Sequence, residues 1–480
     1  MGRILKNYVY NLIYQLVALL VPLVTAPYLV RVLGAEGTGK YAYVNSFTAL
    51  LTTIVMLGIF NYGNRQIAYV RDDRKKTDET FWRIMSVRLI LGIVGTIIYI
   101  IAVYLNGKYY FLFFLYYTYL LGYIFDCTWL FVGVEDMKWA VLKNTIMKLG
   151  AAVGIFLLVK SKNDVGIYIF IQGGSILFAN LLAYTQLPRY VGKPKLIFKG
   201  CKKDLEGSLL LFLPGIASTI YLQCDKVMIE WLTNNTAQVS QYDYAEKIIT
   251  IPLTFITVLS TVMMPRIANE FKKENQVAIS NLINRAAKMS LFLACPLMMG
   301  MIGIADKLIP WYLGNDFLLS ITVIVIVSPI IVTNTLTGIS GGQYFTATNQ
   351  IQILLLAQVF AAGGNIIINA ILIPKYGAIG AAVATVASST LNAGIQYYHL
   401  CKQVQLPKLF VQGIKYFVIS VVMYMVIRGT TYKMPATIIT NIIQILVGMA
   451  VYFGICILIG DEEFKNAINS IKNVLKKRKR

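Results

Sequence analysis

The chain has 480 residues, of which 57% are hydrophobic and only 14% are charged, and its mean hydropathy is +0.65. A soluble domain carries about 25% charged residues, so this composition excludes an ordinary soluble globular protein. The formal net charge of +22 is typical of a nucleic-acid-binding protein or of a membrane protein with basic cytoplasmic loops. The distribution of the basic residues favours the second, and we expect no nucleic-acid partner.

Apolar runs of about 20 residues recur from end to end, and each is long enough to cross roughly 30 Å of hydrocarbon as a helix. Backbone groups in lipid must be satisfied by the protein, which leaves helices or a closed barrel, and these runs are too long and continuous for barrel strands. The predicted fold is therefore all-α integral membrane, with about 14 transmembrane helices. The predicted spans are 8–30, 41–62, 84–105, 109–131, 141–160, 165–187, 208–232, 241–264, 287–305, 317–340, 350–373, 377–399, 412–428 and 436–459.

The first run, 8–30, is too long for the apolar core of a signal peptide and lacks a clear small-residue cleavage site, so we expect it to be retained.

The basic residues of the loops predict the orientation of the protein in the membrane. With both termini in the cytoplasm, the inner side holds 65–76, 188–203, 266–273 and 476–480, and takes roughly 33 of the 44 Lys and Arg residues. The reverse topology would reverse this bias.

A weak internal repeat relates 21–47 to 213–248, since both have a proline in the first span, a basic residue (Arg31 or Lys226), a polar turn and a tyrosine motif. Six spans separate the two, which predicts parallel halves related by an axis along the membrane normal, with a cavity between them. Composition common to helical hairpins could also produce the similarity. The predicted domains are an N-terminal six-helix bundle at 1–187, a basic cytoplasmic linker at 188–207, a C-terminal six-helix bundle at 208–400, helices 13 and 14 at 401–460, and a basic amphipathic cytoplasmic tail at 461–480.

The central hairpin carries charges that lipid disfavours. They are Asp225, Lys226 and Glu230 on its first run, and Asp243, Glu246 and Lys247 on its second. A charge at the centre of a bilayer costs roughly 2.5–3.5 kcal/mol on insertion scales, so we expect these groups to face a water-filled cavity or an ion partner. Lys226 and Glu230 are four residues apart, as are Asp243 and Lys247, so each pair could also meet along its own helix.

Several motifs together resemble those of bacterial polysaccharide flippases, the Wzx-type branch of the multidrug/oligosaccharidyl-lipid/polysaccharide exporter superfamily. They are VPLVTAPYLVRVLGAEGTGKYAYV, LGIFNYGNRQIA, CDKVMIEWL, QYDYAEKI and VMMPRIANEF. The resemblance covers essentially the whole chain. It implies two six-helix bundles arranged in a V. It also implies a transporter, not an enzyme, that flips an undecaprenyl-diphosphate-linked oligosaccharide from the inner to the outer leaflet of the bacterial plasma membrane.

The implied cargo needs cations for its diphosphate, because buried charge is costly unless it is paired. Candidate cations are Lys226, Lys247 and Arg31, with Arg65 and Arg88 nearer the cytoplasmic entrance. Arg31 could equally be an interfacial anchor, and Arg65 and Arg88 could be topology signals. Candidate groups for the sugars are Tyr41, Asn45, Tyr221, Gln223 and Tyr242.

Acidic residues within spans could couple transport to H⁺ or Na⁺, or could form ion pairs. The candidates are Asp126, Asp225, Glu230, Asp243 and Glu246. Asp126 has no basic neighbour in its own span, so it is either an ion site or the partner of a lysine on another helix. We expect no other cofactor and no metal site, because the chain has one histidine and six scattered cysteines, which we interpret as free thiols.

Alternatives to a flippase are a drug or cation antiporter of the same superfamily and a non-transporting membrane scaffold for polysaccharide assembly. Membrane lipid is an expected partner, and a polysaccharide polymerase and glycosyltransferases are potential ones. An ATP-driven machine is disfavoured. The stretch GAEGTGKY at 34–41 ends in Tyr41 where a nucleotide-binding loop needs a Ser or Thr hydroxyl, and it follows a membrane span, not a soluble strand.

Overall fold

The computed structural model describes residues 2–56, 58–260, 264–406 and 409–465, and within these ranges no strand occurs. The contacts divide the chain into two compact units, Met1–Ser240 and Gln241–Arg480. The predicted bundles at 1–187 and 208–400 and their V arrangement stay predictions. Most of the predicted tail at 461–480 lies outside the described residues.

The first unit is built from long helices. They are α1 (Gly2–Met56), α2 (Ile59–Val70), α3 (Arg74–Asn106), α4 (Tyr110–Ile124), α5 (Thr128–Gly133), α6 (Met137–Leu158), α7 (Val165–Tyr184) and α8 (Cys201–Thr233). The next helix, α9 (Thr236–Ser260), begins in this unit and continues into the second.

The second unit is also helical, and one of its helices leads into a π-helical segment, Gly338–Phe345. Its helices are α10 (Met264–Lys272), α11 (Gln276–Tyr312), α12 (Leu319–Val327), α13 (Ile330–Thr337), α14 (Ile351–Tyr376), α15 (Ala378–Cys401), α16 (Leu409–Thr431) and α17 (Ile438–Leu458). The rings of Phe292, Tyr416 and Tyr452 pack together in its core, and the Tyr452 hydroxyl donates to the Phe292 carbonyl at 2.7 Å.

Eleven helical stretches of the described residues are long and apolar enough to cross a membrane. The first, Ile13–Val70, covers most of the first predicted span, 8–30, and all of the second, 41–62. α8 and α9, which carry the predicted seventh and eighth spans, are not among the eleven. The all-helical, multi-pass membrane class is therefore confirmed, and the count of fourteen spans stays a prediction.

Helix α1 contains two prolines, Pro22 and Pro27, and a non-helical residue, Gly34, and side chains donate to backbone carbonyls at Pro22 and at Gly34. Pro22 has no N–H for the carbonyl of Ala18, and the Lys148 ammonium of α6 donates to that carbonyl at 3.4 Å. Gly34 has φ 71° and ψ 179°, a conformation that only glycine adopts readily. The Thr38 hydroxyl accordingly donates to the Gly34 carbonyl at 2.7 Å.

The glycine-rich stretch at 34–41 is also a packing site for the α8–α9 turn. A Cβ on Gly39 would lie 1.8 Å from the Thr236 carbonyl oxygen, so only a glycine lets the two backbones approach this closely. One residue earlier, the hydroxyls of Thr38 and Ser240 are 2.6 Å apart. The stretch that resembles a phosphate-binding loop therefore has a structural explanation as a helix break followed by a close backbone contact.

We predict that Gly39→Ala prevents stable folding, whereas Gly150→Ala does not. Overpacking typically costs about 1–3 kcal/mol, and a Cβ against a backbone carbonyl leaves little room for relief. A Cβ on Gly150 of α6 meets nothing within 4 Å, and alanine is the better helix former by about 1 kcal/mol. The measurement is the monodisperse yield and apparent melting temperature of each variant in detergent. Equal behaviour of the two variants would contradict the close approach of Gly39 to Thr236.

Candidate functional site

The fourth predicted span, 109–131, is divided between two helices. Helix α4 ends at Ile124 and α5 begins at Thr128, so 125–127 leave the helical path. The last carbonyls of a helix have no partner within the helix itself, and lipid supplies none. Here Asn180 of α7 donates to the Gly122 carbonyl at 2.7 Å, and Arg88 Nε of α3 donates to the Tyr123 carbonyl at 2.8 Å. Two other helices therefore complete the hydrogen bonding of the break.

Asp126 occupies the break itself and contacts two cations from other helices. Its Oδ1 accepts from the backbone N–H of Thr128 at 2.9 Å, as a capping residue does at a helix N-terminus. Its carboxylate lies 3.6 Å from Arg88 Nη2 and 3.9 Å from Lys143 Nζ of α6. Lys143 also donates to the Asn180 side-chain oxygen. We call Arg88, Asp126, Lys143 and Asn180 the break cluster.

The break cluster is buried and carries one more positive than negative charge. The side chains of Arg88 and Lys143 are each 2% exposed and that of Asp126 is 13% exposed. Within the described part of the chain, Arg88 Nη1 and the Tyr184 hydroxyl are buried without a hydrogen-bond partner. Asp126 thus has a lysine of another helix, Lys143, at ion-pair distance, and Arg88 is buried inside the unit. A role of Asp126 in ion coupling stays a prediction.

A row of tyrosines leads from the break cluster towards α1. Tyr116, Tyr119 and Tyr123 follow one another along one face of α4, with ring centroids 5.0 and 4.9 Å apart. Tyr41 of α1 packs edge-on against Tyr116 at 6.0 Å, and 4.5 Å from Tyr168 of α7. We call these five residues the tyrosine row.

Two of the predicted sugar contacts, Tyr41 and Asn45, lie at the α1 end of this row. The Tyr116 hydroxyl donates to the Asn45 side-chain oxygen at 2.6 Å, beside Tyr41. At the other end, the carbonyl of Tyr123 accepts from Arg88 of the break cluster. Tyr41 and Asn45 are half-buried, so the first unit contains a continuous stripe of hydroxyl and amide groups that ends at buried cations.

Glu230 joins α8 to the turn between α3 and α4. Its carboxylate accepts from the Tyr109 hydroxyl at 3.0 Å and lies 3.5 Å from the Lys108 ammonium. Nearby, the indole N–H of Trp231 donates to the Tyr43 hydroxyl at 2.8 Å.

One turn before Glu230 on α8, the candidate residues Asp225 and Lys226 are buried. Gln223 is half-buried, and the side chain of Tyr221 lies outside the described residues.

On α9, Asp243 and Lys247 form the pair that their spacing predicted, with Nζ and Oδ2 2.5 Å apart. Asp243 is buried, whereas the Lys247 side chain is 48% exposed and its ammonium lies 5.0 Å from the centre of the Tyr244 ring. Glu246 is half-buried. The Tyr242 hydroxyl is buried and 2.7 Å from the hydroxyl of Thr385 of α15, so Tyr242 packs inside its unit.

The two remaining candidate cations lie on exposed surface of the first unit. Arg31 donates to the Pro27 carbonyl of its own helix at 3.2 Å. Arg65 of α2 lies over the Tyr62 ring, 5.9 Å from its centre. Within the described residues, no group of three or more His, Cys, Asp or Glu side chains could hold a metal ion.

Lys143 and Asn180 are not among the site residues predicted from the sequence. A signal was present, because Lys143 lies inside the predicted fifth span, 141–160, and an ionisable residue within a span marks a candidate site in the same way as Asp126 does. The pairing of the two could not be read from spacing, since they belong to different helices.

Comparisons with known proteins indicate a single family. The family model described as "Polysaccharide biosynthesis protein" matches residues 4–271, more than half of the chain. The chain is 23% identical over 401 residues to the "Putative O-antigen transporter" of Escherichia coli (strain K12), covering 80% of this chain and 94% of the relative. It is 26% identical over 333 residues to the "Probable low-salt glycan biosynthesis flippase" of Haloferax volcanii, covering 68% and 70%.

Solved structures with the same fold are also transporters. The inward closed conformation of the lipid II flippase MurJ matches with a TM-score of 0.74 at 18% identity, over 95% of this chain and 99% of that one. An inward-facing multidrug transporter of the MATE family matches with a TM-score of 0.62 at 13% identity, over 80% and 95%. At these identities, the likeness establishes the fold.

We predict that Asp126→Ala strongly destabilises the first unit, because it leaves two buried cations without a carboxylate. Removing one partner of a buried ion pair typically costs about 3–5 kcal/mol, whereas losing an exposed pair costs about 1 kcal/mol or less. The matched control is Glu270→Ala, which removes the exposed pair between Glu270 and Lys273. The measurement is the apparent melting temperature in detergent.

Adding Lys143→Met to Asp126→Ala should recover part of the loss, because one uncompensated charge disappears. A double variant less stable than Asp126→Ala alone would contradict the electrostatic account of the break cluster.

Proposed function

The chain belongs to the polysaccharide biosynthesis protein family, and from this premise we propose that it flips a lipid-linked glycan across the membrane that it spans. Two relatives are named as an O-antigen transporter and a glycan flippase, and the fold is that of a lipid II flippase. The chain is accordingly a transporter and not an enzyme.

The observation that carries the proposal is the polar interior of the first unit. A protein in lipid keeps charged groups within its spans only where they have partners and a use. The break cluster holds an excess of positive charge, and the tyrosine row extends from it with the hydroxyls and the Asn45 amide that can donate to and accept from sugar hydroxyls. Cations with neighbouring neutral hydrogen-bonding groups suit a cargo with an anionic linkage and a polar glycan.

We propose undecaprenyl diphosphate as the lipid carrier and the bacterial plasma membrane as the location, with both termini in the cytoplasm and movement from the inner to the outer leaflet by alternating access. Potential partners are a polysaccharide polymerase and glycosyltransferases. The basic bias of 65–76, 188–203 and 266–273 supports this orientation.

Among the candidate cations, Lys247 is suited to contact a diphosphate because its side chain is 48% exposed. A phosphate would share the ammonium with Asp243, which now lies 2.5 Å away. Arg31 and Arg65 are exposed and Lys226 is buried, and their proposed roles with the cargo rest on their charge alone.

The decisive experiment uses proteoliposomes loaded with a fluorescent undecaprenyl-diphosphate-linked oligosaccharide. We expect the purified protein to expose the glycan to a membrane-impermeant glycosidase much faster than empty liposomes do. No acceleration by well-folded protein would overturn the proposed function. Altered resistance of overexpressing cells to cationic dyes, without glycan flipping, would instead favour the antiporter.

In the same assay, we predict that Lys247→Gln lowers the flipping rate about 10-fold or more, since a hydrogen bond to a charged group contributes about 1.5–3 kcal/mol. Lys247→Arg should retain most of the rate because it keeps the charge. The matched control is Lys375→Gln, which removes an exposed lysine at the end of α14. Full activity of Lys247→Gln at equal protein content would reject contact between Lys247 and the diphosphate.

We also propose that an H⁺ or Na⁺ gradient drives flipping, with Asp126, Asp225, Glu230, Asp243 and Glu246 as the candidate carriers. The expected result is net accumulation of glycan in one leaflet when a pH or Na⁺ gradient is imposed on the proteoliposomes. Equal distribution between leaflets under both gradients would contradict the coupling.

A further inference from the structure

A groove runs along the outer face of α3 in the first unit. It has a volume of about 420 Å³, within the range of about 300–1,000 Å³ that is usual for small-molecule sites. Ser86, Leu89, Ile90 and Ile93 line it from α3, at the spacing of one helix face. The facing wall comes from α4, and the end of the groove is formed by Leu196 and Phe198.

The groove opens on the apolar exterior, and Ser86, Ile90 and Ile93, which line it from α3, lie on the face of that helix opposite Arg88. Ile90 and Ile93 are 44% and 66% exposed, whereas Arg88, on the opposite face of the same helix, is buried. A membrane protein turns such an exposed apolar face towards lipid.

The polar groups that line the groove already have partners within the protein. The Ser86 hydroxyl donates to the Trp82 carbonyl at 2.7 Å and accepts from the Ile197 N–H at 3.0 Å. The hydroxyls of Thr96 and Tyr117 are 2.9 Å apart. These groups do not require a polar ligand, so the groove suits a hydrocarbon chain.

The end of the groove is held in place by the segment 192–198. Asp78 at the start of α3 accepts from the Gly192 N–H at 2.6 Å and from the Lys195 ammonium at 3.2 Å. Together with the bond between Ile197 and Ser86, these contacts keep Leu196 and Phe198 against α3 although they are 67% and 61% exposed. Large apolar side chains exposed in a charged segment are typical of a surface that something covers.

The same end of the groove is surrounded by basic side chains. Lys193 and Lys195 lie in the segment, Lys199 follows it, and Lys202 and Lys203 lie in the first turn of α8; all five are exposed. Two neighbouring carboxylates already have partners, since Asp78 binds Lys195 and Asp204 lies 2.6 Å from Arg83, whereas Glu79 next to Asp78 is exposed. Glu206, farther along α8, is exposed. The stretch 192–206 therefore carries more basic than acidic side chains, and it contains the two residues that form the end of the apolar groove, Leu196 and Phe198.

We propose that this groove and its rim bind one anionic phospholipid, with an acyl chain in the groove and the phosphate on Lys199, Lys202 and Lys203. The charge complementarity and the apolar lining match the two ends of such a molecule, and basic pockets beside membrane helices bind anionic headgroups. The bound lipid would cover Leu196 and Phe198 and clamp the segment onto α3. The site does not depend on the proposed flipping of a glycan.

The test measures phosphatidylglycerol binding to the full-length protein by native mass spectrometry, and melting temperature in detergent with added lipid, against phosphatidylcholine of the same acyl chains. We expect phosphatidylglycerol to raise the melting temperature by about 3 °C or more above phosphatidylcholine. Ile93→Trp, which fills the groove, should lose one bound phosphatidylglycerol and that gain. Ile100→Trp, on α3 outside the groove and 61% exposed, is the matched control and should keep both.

A second variant tests the headgroup contact without touching the groove. The triple variant Lys199→Gln, Lys202→Gln and Lys203→Gln should lose the preference for phosphatidylglycerol. A control triple, Lys162→Gln, Lys375→Gln and Lys433→Gln, makes the same change of charge at exposed lysines elsewhere and should keep it.

Unchanged phosphatidylglycerol binding and stabilisation in both Ile93→Trp and the rim triple would overturn the proposal. So would one-for-one displacement of phosphatidylglycerol by undecaprenyl phosphate at equal concentration, because the occupant would then be a prenyl lipid. Neither result affects the test of flipping itself, which is measured separately on the reconstituted protein.

Discussion

A membrane helix can be interrupted only where other groups take over its backbone hydrogen bonds, and the first unit depends on this constraint. Lys148 replaces the N–H that Pro22 lacks, Thr38 binds the carbonyl of Gly34, and Arg88 and Asn180 complete the end of α4. The long polar side chains inside the unit are therefore positioned first of all by the interruptions that they stabilise.

The same residues also give the interior its chemical character. Once Arg88 and Lys143 are brought to the end of α4, a carboxylate is needed between them, and Asp126 supplies it from the break itself. One positive charge is left over, at the end of the tyrosine row. The groups that stabilise the break thus also place a positive charge at one end of the tyrosine row. A charged, glycosylated lipid would use this combination of a cation and neutral hydrogen-bonding groups.

Helix α3 separates two environments. Its inner face carries Arg88 to the break cluster, and its outer face presents Ile90 and Ile93 to an apolar groove whose polar neighbours are already paired. The basic segment after α7 is fixed to the end of this helix by Asp78 and Ser86. A segment that the sequence predicts as a linker is therefore held along α3, where its lysines and its exposed Leu196 and Phe198 lie side by side.

The sequence by itself determined the membrane class, the helical fold and the contacts that depend on local spacing. Apolar runs of span length allow no other class, and residues four apart on one helix meet, as Asp243 and Lys247 do. Only the tertiary structure decided the partners of Asp126, Glu230 and Arg88, because Lys143, Lys108 and the Tyr123 carbonyl reach them from other helices. The physical reason is that the sequence of a span shows which charges it carries but not which charges of other helices they meet. The rotation of each helix and the approach of its neighbours determine which charges meet, and these are properties of the packed chain.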